Sequence, residues 1–135
     1  MQLFSRRPGL AILWVLAALM PSALWAESDN FESPPVHPVE LSPNGTRLFV
    51  THLAAAELVV MDVTGAEPRR VATIPVGLDP VTCRARSDHE VWVVNHVSDD
   101  VSVVDVDRGV VVRTLEVGDE PTDVVFAGTH AFVCV

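Results

Sequence analysis

Lysine is absent from this 135-residue chain, and nine arginines are its entire basic complement beside eighteen Asp and Glu, for a formal charge of −9. Two of those arginines, Arg6 and Arg7, lie in an N-terminal segment that reads as a leader. Without them seven arginines face eighteen acids and the charge is −11. Affinity for phosphate backbones is supplied largely by Lys and Arg, so nucleic acid is not an expected partner. Cysteine is nearly as scarce: Cys83 and Cys134 are too few and too far apart for a disulfide framework or a metal knuckle. The long apolar run Leu10–Met20 (LAILWVLAALM) has eleven residues, too short to span a membrane. A Gly-rich phosphate loop, a nucleophile elbow and the haem-attachment pattern C-x-x-C-H are all missing. The five histidines stand at no recognised metal-ligand spacing. Neither a catalytic constellation nor a cofactor is evident in these residues, so any function is expected to rest on recognition.

What is present begins with an export signature. Arg6-Arg7 form a positive n-region, Leu10–Met20 an apolar core, and Pro21-Ser22 break it ahead of Ala26. This is the layout of a secretory signal peptide over residues 1–26, with cleavage expected after Ala26 and a periplasmic or extracellular mature protein. Ser5-Arg6-Arg7 resembles a twin-arginine signal, but Gly9 stands where such signals carry a bulky apolar residue, so general secretion fits better. The acidic stretch Glu27–Val36, with Pro34-Pro35, reads as part of an extended linker over residues 27–37.

The mature chain repeats itself. Leu48-Phe49-Val50-Thr51-His52, Val91-Trp92-Val93-Val94-Asn95 and Ala131-Phe132-Val133-Cys134-Val135 share one pattern, with the aromatic at Phe49, Trp92 and Phe132. Asp62 and Asp105 close the next runs, Leu58–Met61 and Val101–Val104. Val71–Gly77 then matches Val112–Gly118, and a proline follows each glycine by three: Pro80 and Pro121, with Pro38 in the same role earlier. The period is 40 to 43 residues. Each period holds four short Val-rich runs separated by turn residues such as Asn44-Gly45, Thr64-Gly65 and Arg108-Gly109, which predicts a four-stranded antiparallel meander. A repeat of about 40 residues with four strands is the mark of a β-propeller blade. The expected organisation is all-β: one blade over 38–77, a second over 78–118, and the first two strands of a third over 119–135. Propellers close with roughly four to eight blades. About two and a half are present, so an incomplete reading frame is expected, with more blades, and room for a further domain, beyond Val135.

On these residues, FVTH, VVNH and FVCV together with VSVVD, VVRTLEVGDEP and LSPNGTRLFV, the chain resembles the YVTN β-propeller repeat family from Pro38 to Val135. Phe or Trp replaces the family's tyrosine, and His52 and Val135 replace the asparagine kept as Asn95. The resemblance implies an exported propeller that serves as a binding or scaffold module. It also implies an alternative, in which the chain is the N-terminal part of a larger periplasmic enzyme. That enzyme would be a lactonase-like propeller, or blades preceding a dihaem cytochrome c peroxidase-like domain whose haem c would lie in the C-terminal region. Nucleic-acid binding has precedent in the family but is opposed by the charge.

Cys83 follows Pro80 by three, as Leu41 follows Pro38 and Val124 follows Pro121, so it is expected to be a packed thiol in an inward strand position. Cys134, in the slot of Thr51 and Val94, is expected in the core as well. Asp62 and Asp105 recur once per repeat at the third strand's end, where a carboxylate bonds nearby backbone N–H groups. His130 shares a polar slot with Arg47 and Glu90. Strand alternation sorts the loops onto two rims. One rim gathers the connections His52–Ala56 and Asn95–Asp99 with the inter-blade links Gly77–Asp79 and Gly118–Glu120. The candidate binding residues there are His52, Asp79, Asn95, His96, Asp99, Asp100, Asp119 and Glu120. Loops on a rigid scaffold commonly carry function, and this acidic, histidine-bearing rim suits a cationic ligand, either a metal ion or a basic protein surface. Mass measurement of the exported protein should show a chain beginning near Glu27; a cytoplasmic product that retains Met1 would overturn the leader assignment.

Overall fold

The computed structural model describes residues 33–135. The leader expected over Met1–Ala26 and the first part of the linker lie outside the described residues. Ten strands follow among those described: β1 (Val39–Leu41), β2 (Arg47–His52), β3 (Glu57–Asp62), β4 (Arg69–Pro75), β5 (Pro80–Ala85), β6 (Glu90–Asn95), β7 (Asp100–Asp105), β8 (Val110–Glu116), β9 (Asp123–Ala127) and β10 (His130–Cys134). They form a four-stranded sheet β1-β2-β3-β4, a second four-stranded sheet β5-β6-β7-β8, and a two-stranded hairpin β9-β10. Every pairing is antiparallel between sequence neighbours. The equivalent pairings β3–β4 and β7–β8 each shift register once, between Val60 and Met61 and between Val103 and Val104. The protein is thus all-β with antiparallel four-stranded sheets, and the sheets are not closed into a ring. No helix of the described residues is long and apolar enough to cross a membrane.

These sheets exist because their residues alternate and their neighbours cover them. In β2 and β6 the residues that pair with the inner strand point alternately to either face. Phe49, Leu58, Val60 and Ile74 of the first sheet meet Cys83, Val91, Val93 and Val104 of the second in one buried cluster. Trp92, Val94, Val101 and Val103 meet Val124 of the hairpin in another, with Phe126 and Val133 packed alongside. The second sheet is therefore covered on both faces. Its central strands show the consequence, since β6 and β7 are buried at almost every position. A strand covered on both faces reads as a continuous apolar run rather than an alternating one, which explains VWVV and VSVV. The outer strands β4 and β8 are largely exposed.

Two positions depart from the expected burial. Cys83 and Val124 are fully buried, but Leu41, in the same register slot, is 54% exposed. Glu40 pairs with Phe49, which faces the second sheet, so Val39 and Leu41 point to the opposite face, where no described sheet lies. Cys134, expected in the core with Thr51 and Val94, is exposed for the mirror-image reason: it shares a face with Phe132, 59% exposed, on the side of the hairpin away from the second sheet. Burial in this register is decided by whether a sheet stands opposite.

The end of the linker is extended and bonded across the sheets. Val36 N and His37 N both donate to the Val81 carbonyl, Cys83 N donates to the His37 carbonyl, and His37 forms a parallel bridge with Thr82. Phe49→Ala should cost about 3–5 kcal/mol, read by urea denaturation in dilute solution. Phe132→Ala, in the same slot with no sheet opposite, should change stability by no more than about 0.5 kcal/mol. Equal losses at the two sites would contradict this account of the core.

Candidate binding rim

The loops of one rim are held by a bracket that recurs at the two sheet-to-sheet connections. Val76 N donates to the Ala56 carbonyl, and Val117 N donates to the equivalent Asp99 carbonyl, so each β4- or β8-end is tied to the loop between the second and third strands of its own sheet. Ala56 and Asp99 both adopt positive φ, 53° and 56°, as do Asp79 (56°) and Glu120 (50°), the residues before Pro80 and Pro121. Left-handed backbone is costly for residues with a Cβ. The opposite rim uses glycine for it, at Gly45 and Gly109.

Asn95 is the most deeply placed of the candidate residues. It is fully buried; its Nδ2 donates to Asp100 Oδ1 at 2.6 Å and to Ser102 Oγ at 2.9 Å. Gly77, leaving the first sheet, lies against it so closely that an added Cβ would stand 2.6 Å from Asn95 Nδ2 and 2.4 Å from Ser98 Oγ. Ser98 Oγ in turn accepts from Leu78 N at 2.9 Å. Gly118 approaches Val135 in the same way, 3.1 Å from a built Cβ. The inter-sheet glycine thus packs on the residue that holds the asparagine slot, Asn95 or Val135, in the next repeat. In the first sheet His52 occupies the asparagine slot. It is exposed, and its Nδ1 lies 3.7 Å from Glu57, the residue that pairs with it across the strands as Asp100 pairs with Asn95.

The remaining candidates divide between structural work and exposure. Asp79 is buried, its Oδ2 accepts from Ser33 N at 3.0 Å, and its carbonyl accepts from His96 N. His96 Nδ1 lies 3.1 Å from the Pro121 carbonyl; donating to it would leave Nε2 unprotonated when the ring is neutral. Asp99 Oδ1 accepts from Glu120 N at 2.9 Å. So Asp79 meets His96, Asp99 meets Glu120, and Asn95 meets Asp100, each pair closing a loop. His52, Asp119 and Glu120 are left exposed. No three His, Cys, Asp or Glu side chains among the described residues converge as a metal-holding group.

Other charged arrangements were not singled out by sequence reasoning. On the inner strands Arg84 grips Asp123 with two bonds, Nε to Oδ1 at 3.0 Å and Nη2 to Oδ2 at 2.7 Å, and His37 Nε2 lies 2.6 Å from Glu40 Oε2. The Arg84 bond holds the Asp123 carboxyl below its usual range. At the opposite rim Arg47 donates to Asp107 Oδ1 at 2.8 Å, and His89 Nδ1 lies 2.5 Å from Asp107 Oδ2. These two contacts, Arg47 first, lower the Asp107 pKa, and the Arg47 bond ties the two sheets together. A cleft of 320 Å3 lined by His89, Asp105, Asp107 and Arg108 opens there. Asp62 and Asp105 make the expected turns: Asp62 Oδ1 accepts from Thr64 N at 2.9 Å, and Asp105 Oδ1 accepts from Arg108 N at 2.9 Å. Burial, with Glu40's charge as a smaller contribution, pushes the Cys83 thiol up to about 12, as suits a packed group and not a nucleophile.

Gly77→Ala should therefore destabilise the protein by about 1–3 kcal/mol, because both atoms it would strike are themselves held by hydrogen bonds. Gly65→Ala, whose nearest atom would be 3.7 Å away, is the control. Thermal melts of the two variants that coincide would refute the close packing at Asn95.

No protein-family model matches this chain, and no curated protein matches it. Among solved structures, Kuenenia stuttgartiensis hydrazine synthase superposes with a TM-score of 0.61 at 24% identity, over 75% of this chain and 28% of that one. At that identity the likeness concerns the fold alone. The matched part is under a third of that protein's chain.

Proposed function

We propose that these sheets are blades of an exported YVTN-like β-propeller that acts as a binding or scaffold module. Its rim of strand-two-to-three loops and inter-sheet links would engage a cationic partner, a basic protein surface above all. The observation that carries this reading is the bracket itself. Asn95, Asp79, Asp99 and Asp100 are spent on holding the loops, which leaves a pre-organised rim on which the acidic side chains of Asp119 and Glu120 remain exposed. Preorganised loops lower the ordering cost of association, and exposed like charges steer an oppositely charged partner. A second reading is that the chain is the N-terminal part of a larger periplasmic enzyme; what favours it is that sheets of this fold form only 28% of a longer solved chain. Reading the frame past Val135 for further blades or for C-x-x-C-H separates the two.

The test uses the exported protein and an arginine-rich peptide as probe. Replacing Asp119 by Asn and Glu120 by Gln together should weaken binding roughly threefold to tenfold at low salt and flatten its salt dependence. If Asp88→Asn on the opposite rim did so instead, with the double variant unchanged, the rim would be wrongly assigned.

A further inference from the structure

Repetition makes an exception visible. The link into the second sheet ties back to a loop of that same sheet: the Asp79 carbonyl accepts from His96 N and the Leu78 carbonyl from Val97 N, while Leu78 N donates to Ser98 Oγ. Counting back from Pro38 and Pro80, Val36 and His37 hold the places of Leu78 and Asp79, yet they bond elsewhere. Val36 N and His37 N donate to the Val81 carbonyl at 2.9 and 3.2 Å, and the His37 carbonyl accepts from Cys83 N at 2.9 Å. His37 N also lies 3.2 Å from Thr82 Oγ1, and the buried Thr82 hydroxyl donates onward to the Thr122 carbonyl at 2.8 Å. The segment that leads into the first sheet thus crosses to the second. One edge of β5 is taken by β6, and this segment lies parallel along the other.

At its other end the segment reaches the rim, where Ser33 N donates to Asp79 Oδ2 at 3.0 Å. Asp79 is 9% exposed. Glu120 has the same place before a proline and the same left-handed backbone, but its side chain is exposed. What Asp79 has and Glu120 lacks, among the described residues, is a backbone N–H from outside the repeat seated on its carboxylate. We propose that Ser33–His37 is a strap that masks Asp79, and that its release adds a second pre-proline carboxylate to the surface offered to the cationic partner. This regulation rests on the rim reading given above. Pro34 and Pro35 have no N–H to donate, so the strap's hold comes from Ser33, Val36, His37 and the His37 carbonyl. A guanidinium brings a charged, two-pronged donor in place of one neutral N–H, and charge-assisted bonds are roughly twice as strong as neutral ones. The partner therefore competes with the strap, and its apparent affinity falls with the fraction of chains in which the strap is open.

Amide hydrogen exchange at Cys83, whose N–H is held by the His37 carbonyl, reads the strap without any partner. In the exported protein, Ser33→Pro and Val36→Pro together remove two of the strap's donors. Exchange at Cys83 should quicken about tenfold or more, and the arginine-rich peptide should bind roughly threefold to tenfold more tightly at low salt. Adding Asp79→Asn to that pair should cancel the gain, because the amide fits the same place without the charge. Near-ultraviolet dichroism of the packed Trp92 checks folding; should the pair fold poorly, Ser33→Pro alone, which removes one donor at the strap's end, should tighten binding in the same direction. Three results overturn the proposal alone: Cys83 exchanging as in the wild type, a gain in binding that survives Asp79→Asn, or faster exchange with binding unchanged while Asp119→Asn with Glu120→Gln still weakens it. Peptide binding indifferent to Asp119 and Glu120 overturns the rim reading itself, and the regulation with it.

Discussion

A meander of four Val-rich strands has two apolar faces and, among the described residues, no α-helix to lay over either, so each sheet depends on another sheet standing opposite. Burial of a large apolar side chain is worth about 1.5–3 kcal/mol against leaving it in water, and only a facing sheet supplies that burial. The second sheet is covered on both sides and is the one whose central strands are buried nearly throughout. The first sheet and the hairpin each have one covered face. Stability in such a stack is a nearest-neighbour property, which makes the covered second sheet the stiffest part of the protein and the place where precisely fitted polar groups can be tolerated.

Asn95 shows what that stiffness permits. A buried amide nitrogen needs fixed acceptors, and Asn95 Nδ2 finds them in Asp100 and Ser102 on the next strand, while Asn95 Oδ1 is buried with no partner among the described residues. Its position is then exact enough for the Gly77 backbone to pass against it, which brings the departing chain of the first sheet close to the second. The inner-strand pair Arg84–Asp123 and the far-rim pair Arg47–Asp107 do related work farther along the interfaces. Both join neighbouring sheets. These two ion pairs thus help set how one sheet sits on the next, while apolar contacts supply the cohesion.

The strands and turns were legible in the sequence because they depend on local pattern. Alternating Val-rich runs between Asn44-Gly45, Thr64-Gly65 and Arg108-Gly109 gave the meander, and the carboxylates of Asp62 and Asp105 close the turns expected of them. The burial of particular slots was not legible, since Leu41 and Cys83 are equivalent in register and differ only in what faces them. Arg84 and Asp123, 39 residues apart in the chain, meet because consecutive repeats stack; neither belongs to a short motif. At the candidate rim, sequence alone did not separate carboxylates left exposed from those that hold loops. Asp79 and Asp99 look like Asp119 in the sequence and differ only in having a backbone N–H to accept.

That division bears on what the rim can do. A carboxylate already accepting a backbone N–H has part of its hydrogen-bonding capacity occupied and its geometry set by the loop, so its loss would act first on the scaffold. A side chain such as that of Glu120 is different: its backbone N–H is held by Asp99 while the side chain is exposed, so the scaffold fixes where the charge originates without using it. Repetition supplies the same kind of position at each inter-sheet link, before Pro80 and before Pro121, and there Asp79 has been drawn inward by Ser33 while Glu120 has not. Recognition at such a rim would be set by which repeats leave their pre-proline acid free, a property that varies from repeat to repeat while the stack beneath stays constant.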